Sequence, residues 1–354
     1  MSHYIIAPDS FKGCLSSSRV SEAIAEGIRF VSPDSKITSM PLSDGGEGML
    51  DVMSSLLDMQ RVSCATFDPL MRRIDAEYAV KDDMAVIESA RVCGIQLLTT
   101  EELNPMVATT YGLGVIVADA INRGCKRIVV GLGGSATCDA GVGMLKAVND
   151  KFSKDGYFDD NVFKRLEDVH FTILADVTNP LLGDNGAAHV FAPQKGATPQ
   201  QVEHLEWRIG KFAAMSAKHF GYDYSDKPSA GAAGGLGYAF MQYYGAEVLS
   251  GADYILTLYN YEDKISDADV VFTGEGSADR QTLMGKLPYV VKQHSTDIPV
   301  HLLCGKVMDD KALFDAGFAS VTAVSPKDKS LEEQLNPDST YLNIVECVKR
   351  ILSL

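Results

Sequence analysis

The sequence predicts an α/β protein: a Rossmann-like, doubly wound parallel sheet formed by both ends of the chain, with a second mixed α/β domain inserted between them. Three observations carry this expectation. At both ends, short apolar runs alternate with stretches at helical spacing, and each run ends in a loop bearing Gly and acidic residues. The middle opens instead on consecutive short strands. The length, 354 residues, exceeds the roughly 100–200 of one ordinary domain.

Tyr4–Ala7 reads as an apolar strand that runs into the turn Pro8-Asp9-Ser10-Phe11-Lys12-Gly13. Hydroxyls at Ser16–Ser18 offer caps for a helix with Val20, Ala23, Ile24, Gly27 and Ile28 on one face. Ile37–Leu42 is a second strand, followed by Ser43-Asp44-Gly45-Gly46-Glu47-Gly48 and a helix carrying Leu50, Val52, Met53, Leu56 and Leu57. Strand, loop and helix in repetition make βαβ units and a parallel sheet.

Arg61–Phe67, Ile74–Val80 and Ala85–Ser89 read as strands of the inserted domain, and Arg127–Val130, Phe171–Asp176 and His189–Ala192 as three more. A long helix runs from Pro199 to His219, with Trp207 on its apolar face as a core residue, and Gly231–Gly237 opens another. The pattern of the N-terminal part then returns. Asp269–Thr273 is a strand, Gln281–His294 a helix, Val300–Cys304 and Val321–Ser325 are strands, and a closing helix starts at Tyr341. The expected domains are 1–60 with 246–354, and 61–245, with the active site in the cleft between them, where ligands commonly bind.

The net charge of −15 and pI near 4.9, with no basic patch, argue against a nucleic-acid partner. Any anion site must therefore supply its own positive groups. Seven cysteines without C-x-x-C spacing give neither a disulfide framework nor a zinc site. The N-terminus lacks a signal-peptide pattern and no apolar stretch reaches membrane-spanning length, so the expectation is a cytoplasmic protein without a membrane partner. Neither the histidine spacing nor a Gly-x-Ser-x-Gly element supports a hydrolase.

Polar residues recur where the predicted strands end: Asp9; Asp44 and Glu47; Ser135 and Asp139; Asp176 and Asn179; Glu275 and Asp279; Lys306. In open parallel sheets ligands bind beyond those ends. Glycines, several carboxylates and lysines together suit phosphoryl transfer. Glycine lets backbone N–H groups approach phosphate, carboxylates hold Mg²⁺, lysine neutralises charge, and an Asp can take the proton of an attacking hydroxyl. Lys12, Lys195, Lys286 and Lys306 each adjoin a Gly. Neither the P-loop pattern nor the protein-kinase set is present. Gly131-Leu132-Gly133-Gly134-Ser135-Ala136 fits a dinucleotide fingerprint after a strand, but the acidic residue downstream, Asp150, does not end a strand.

The motifs together resemble the bacterial glycerate 2-kinase family, the type I glycerate kinases. The matching segments are Ala7–Gly13, Pro41–Gly48, Gly131–Thr137, Asp176–Gly183, Pro193–Ala197, Gly231–Gly237 and Thr273–Gly276, then Asp279, Gln281-Thr282 and Gly285-Lys286. They follow the family's order over nearly the whole chain. The resemblance implies ATP-dependent phosphorylation of D-glycerate to 2-phosphoglycerate, with Mg²⁺, on a two-domain α/β fold.

On this reading Asp176 is the base, with Lys12, Asp9 and Lys195 also catalytic, and Lys12 first choice for the glycerate carboxylate. Gly133, Gly134, Ser135, Glu275 and Lys286 hold the nucleotide, Ser10, Asn179, Gln194 and Asp139 the substrate, and Asp44, Glu47 and Asp279 the metal. D-glycerate and ATP are the expected partners, with a homo-oligomer left open.

The chain departs from the family pattern at Ser277 and Ala278, where Arg and Leu are usual, at Cys138 for Asn and at Ala140 for Gly. It also has a short stretch between Ala147 and Phe171. A kinase for a related hydroxy acid, a non-catalytic sensor and an NAD-dependent dehydrogenase are the alternatives.

Overall fold

A computed structural model describes residues 1–153, 162, 166–326 and 330–353. The expected short stretch between Ala147 and Phe171 lies partly outside the described residues. In chain order the strands are β1 (His3–Ile6), β2 (Lys36–Ser39), β3 (Gln60–Phe67), β4 (Arg73–Lys81), β5 (Met84–Glu88), β6 (Arg127–Gly131), β7 (His170–Leu174), β8 (Glu247–Leu249), β9 (Val270–Ala278), β10 (Val300–Val307) and β11 (Ser320–Ala323).

Contacts divide the chain into two compact units, residues 1–44 with 252–354, and residues 45–251. The expected break at residue 60 moves to 44/45, because the helix Met49–Leu57 belongs with the second unit. Its Leu50 N–H donates to the Glu88 carboxylate at 3.0 Å.

In the first unit the sheet is fully parallel, in the order β11-β10-β9-β1-β2. The chain makes β1, crosses through the helix Ser17–Val31 to β2, and leaves. On its return it places β9 on the other side of β1 and continues outward. This 2-1-3-4-5 arrangement reverses direction between β1 and β9, the switch point at which open α/β sheets bind ligands. Ser16 caps the first helix, accepting from Arg19 N–H, and Val20, Ala23, Ile24 and Ile28 are buried as their spacing predicts. That helix lies tightly on the helix Pro337–Leu352. A Cβ on Gly27 would come within 2.7 Å of Val348 Cβ.

The second unit holds a mixed sheet, β3-β4-β5-β6-β7-β8, with antiparallel pairing from β3 to β5 and parallel pairing from β5 to β8. Ile87 of β5, Val130 of β6 and Ile173 of β7 are fully buried with Leu113, Ile116 and Phe240.

Three sequence expectations are corrected. His189–Ala192 is not a strand but the end of the helix Ala187–Phe191 and its cap residue Ala192. Ala187, Ala188 and Ala192 are buried on one helical face, and alanine favours helix over the β signal of Val190-Phe191. The helix expected over Gln281–His294 is broken into a 3-10 turn, Thr282–Met284, and a helix from Leu287. Gly285 sits at φ 99° between them, and Pro288, at the second helical position, suits a helix start. Trp207 is not in the core: it is 55% exposed, with the Lys211 ammonium 4.0 Å from its ring centre. The buried stripe of Pro199–Phe220 runs through Val202, Leu205, Ile209 and Ala213, and a residue two past Leu205 points to the opposite side.

The helix Ala232–Tyr244 opens on three successive left-handed residues, Ala233, Gly234 and Gly235. A Cβ on Gly234 would lie 2.0 Å from the Thr137 carbonyl. Gly234→Ala combines left-handed strain of about 1–2 kcal/mol with overpacking of about 1–3 kcal/mol. The expected loss is about 2–5 kcal/mol in urea unfolding, and a loss below about 0.5 kcal/mol contradicts this packing.

Candidate active site

In the first unit the loops beyond β1 and β2, the last residues of β9 and the turn that follows it bring three carboxylates and two lysines together. Pairing of β1 with β9 continues past the strand, with Asp9 N–H donating to the Gly274 carbonyl at 2.9 Å. Asp9 is therefore fixed at the switch point, 5% exposed, with its Oδ1 accepting the Ser10 N–H at 2.7 Å. Glu275 is 7% exposed; its Oε1 accepts the Thr282 hydroxyl at 2.6 Å and its Oε2 lies 3.8 Å from Lys286 Nζ. Lys12 Nζ pairs with Asp44 Oδ2 at 3.1 Å.

Burial raises the proton affinity of Asp9 well above that of an ordinary carboxylate; the Asp44 charge adds to this, and Lys12 opposes it. Glu275 is raised by burial, against the Thr282 hydrogen bond and Lys286. The hydroxyls of Ser10 and Ser43 are buried and find no hydrogen-bond partner among the described residues. Such groups cost free energy unless a ligand or water satisfies them.

Among the described residues no group of three or more His, Cys, Asp or Glu is placed to hold a metal ion, so Asp44, Glu47 and Asp279 do not form a closed protein cage. Asp279 Oδ1 accepts the Gln281 N–H at 2.7 Å and shapes the turn before Thr282. Glu47 is exposed. The donor set still fits Mg²⁺, which needs one or two carboxylates and completes its octahedron with water and phosphate oxygens.

In the second unit, β6 delivers Gly131 into the turn carrying Gly133, Gly134 and Ser135. A Cβ on Gly133 would lie 2.5 Å from Gly46 Cα, so a side chain there would collide with the turn before Met49. Lys195, 3% exposed, donates to Ser135 Oγ at 3.0 Å and to the Thr137 carbonyl at 2.7 Å. Both acceptors are neutral, and no carboxylate lies within ion-pairing distance of this ammonium among the described residues. Burial lowers its pKa. Thr137 Oγ1 beside it is buried, again with no partner among the described residues.

Asp139, expected to meet the substrate, is occupied inside the protein. It accepts from Thr110 N–H at 2.9 Å, from Gly141 N–H and Gly143 N–H at 3.1 Å each, and from both Thr109 and Thr110 hydroxyls. It thereby satisfies the starts of the helices Tyr111–Asn122 and Val142–Phe152. Asp176 Oδ1 accepts the Gly251 N–H at 3.0 Å, Asn179 Nδ2 donates to the Asn185 carbonyl at 2.8 Å, and Gln194 is exposed.

Sequence reasoning passed over Ser43, Thr137 and Thr282, although each adjoins or lies within a quoted motif. It also passed over Glu88, buried beneath the start of Met49–Leu57, for which a lone strand-end carboxylate gave no distinguishing signal. Ala140 adopts φ 52°, a conformation that favours the Gly usual at this position.

The glycerate kinase family model matches residues 4–354. The chain belongs to the glycerate kinase family. It is 35% identical to the glycerate 2-kinase of Escherichia coli K12 (92% of each chain covered), and 33% identical to the glycerate kinase of Bacillus subtilis 168 (96% and 94% covered). It superposes at a TM-score of 0.81 on a crystal structure of a protein designated glycerate kinase 2, from Salmonella typhimurium LT2. The identity is 31%, over 99% of this chain and 97% of that one. As a member of the glycerate kinase family the chain is an enzyme, a kinase, and the family implies use of ATP. All seven cysteines are free thiols, and among the described residues no helix is long and apolar enough to cross a membrane.

Proposed function

We propose that this kinase phosphorylates D-glycerate at the 2-hydroxyl with Mg-ATP, giving 2-phosphoglycerate and ADP. The observation that carries the reading is the carboxylate–lysine cluster at the β1/β9 switch point, in a chain of the glycerate kinase family. The 2-position is supported by the glycerate 2-kinase among the relatives.

Asp9 takes the proton of the attacking hydroxyl: it is held rigidly at the strand end, and a carboxylate of raised proton affinity is a stronger base. Asp176 is the competing candidate. Lys12 meets the carboxylate of glycerate, with Ser10 as a hydroxyl partner. In the second unit Gly133, Gly134 and Ser135 face phosphate oxygens. Lys195 supplies a fixed positive charge that needs no reorganisation as charge develops in transfer. Asn179 and Gln194 belong to the substrate side in the same reading.

Asp44 with Asp279 would hold Mg²⁺, which would supply charge neutralisation on the transferring phosphates. Water must be kept from the transferred group.

The test is ADP release, followed with and without D-glycerate. Turnover should require glycerate, vanish when EDTA removes divalent ions and return with excess Mg²⁺. Equal ADP release without any acceptor counts against the reading, and glycerate-dependent release that survives EDTA removes the metal from it.

A further inference from the structure

A cavity of about 540 Å³ opens in the second unit, lined in part by Cys138, Asp139 and Ala140. This size lies within the range of small-molecule sites, roughly 300–1,000 Å³. Its walls are mostly apolar, with Met106, Ile209 and Phe212 among them. Two cations, Lys146 and Arg208, join them.

Three features mark it as a binding surface. First, Val107, Met71 and Val142, which line it, are 61%, 46% and 42% exposed. A cluster of large apolar side chains left in water marks a place where something docks. Second, two of its lining residues, Met71 and Ala140, hold left-handed backbone at φ 64° and 52°. Such strain in non-glycine residues gathers at ligand sites. Third, Arg208 donates to the Met106 carbonyl at 3.3 Å and has no carboxylate within ion-pairing distance among the described residues. In a chain of net charge −15 this leaves a cation beside an apolar slot. Asp139, the acid lining the cavity, is already engaged by the hydrogen bonds described above.

A fitting occupant therefore presents apolar surface, tolerates a guanidinium beside it and carries negative charge. An aromatic heterocycle with an anionic tail meets all three demands, because arginine stacks on π faces and attracts anions. We propose that this cavity holds the adenine ring of the ATP that the kinase uses, with Arg208 over the base. The turn through Cys138, Asp139 and Ala140 is shared between the cavity and the end of the glycine loop. The phosphates would then run from the cavity toward Gly133–Ser135. This inference rests on the kinase reading above and adds where the base lies.

The experiment compares wild type with Val107→Trp, which fills the slot from an exposed position, and with Arg208→Ala, which removes the cation. Calorimetric titration with ADP should show at least a 10-fold weaker Kd in both. The KM for ATP should rise similarly while the KM for D-glycerate stays within twofold. Inorganic tripolyphosphate, which has no base, should inhibit all three proteins with the same Ki. Wild-type ADP affinity in both folded variants, checked by thermal melting, overturns the proposal while leaving the kinase reading intact. A loss of tripolyphosphate affinity equal to the loss for ADP also overturns it, since the cavity would then be serving phosphate. A wild type that neither binds ADP nor turns over ATP fails the kinase reading itself, and this inference with it.

Discussion

Asp9→Asn should lower kcat at least ~100-fold, the low end for loss of a positioned base, in a protein that remains folded. Asn keeps the shape of Asp and can still accept the Ser10 N–H bond, so the local turn survives. What disappears is a buried, titratable carboxyl near Asp44 and Glu275. The sign of the accompanying stability change follows. Because folding raises the proton affinity of Asp9, the folded state disfavours its charged form. Wild type carries that penalty above the folded-state pKa, and loses it as pH falls toward the unfolded value of about 3.9. In buffer without divalent ions, Asp9→Asn should therefore melt at or above the wild-type temperature at neutral pH, with the difference shrinking as pH falls toward about 4 and absent below it. A near-wild-type kcat in Asp9→Asn, together with a ~100-fold loss in Asp176→Asn, passes the base to Asp176.

Lys195→Met should separate function from stability in the other direction from most core substitutions. Replacing a buried ion by an apolar side chain of similar volume is often neutral or stabilising. Lys195 is a strong instance, since its two acceptors are neutral. Its folded-state pKa lies below the ordinary lysine value, so the charged form is disfavoured by folding throughout the neutral range. The melting temperature of Lys195→Met should hold or rise near pH 7. Activity should fall at least ~100-fold, as when one preorganised electrostatic partner of a developing anion is removed. If activity survives while stability collapses, Lys195 is a structural residue and its place in the reaction is lost.

Much of this arrangement was legible in the sequence because it follows from local chemistry. The βαβ rhythm of the N-terminal part appears in apolar runs of four residues followed by a capped helix, and Ser16 caps where its hydroxyl predicts. Asp9 and Glu275 could be singled out as polar residues just past predicted strands, although β9 runs on through Glu275 to Ala278. That they meet required the strand order, which no local signal encodes: β1 and β9 are separated by over 260 residues and pair only because the chain returns to the other side of β1.

Asp139 shows the opposite failure. Its position after a strand and a glycine loop matched a ligand-binding residue, yet the starts of two helices take up its oxygens. Trp207 was misplaced because a bulky aromatic on a helix suggests a core, whereas its angular position on Pro199–Phe220 puts it in water. The apolar cavity beside Arg208 left no trace in the sequence, since its wall is assembled from segments some 140 residues apart, from Met71 to Phe212.

The phosphorus spectrum of the product tests the account most directly. Wild-type protein incubated with Mg-ATP and D-glycerate should yield ADP and one new phosphomonoester resonance, split into a doublet by the single proton on the carbon that bears the phosphate, as in 2-phosphoglycerate. A triplet, from phosphate on a CH₂ group, or the absence of any new ester with D-glycerate present, would contradict it.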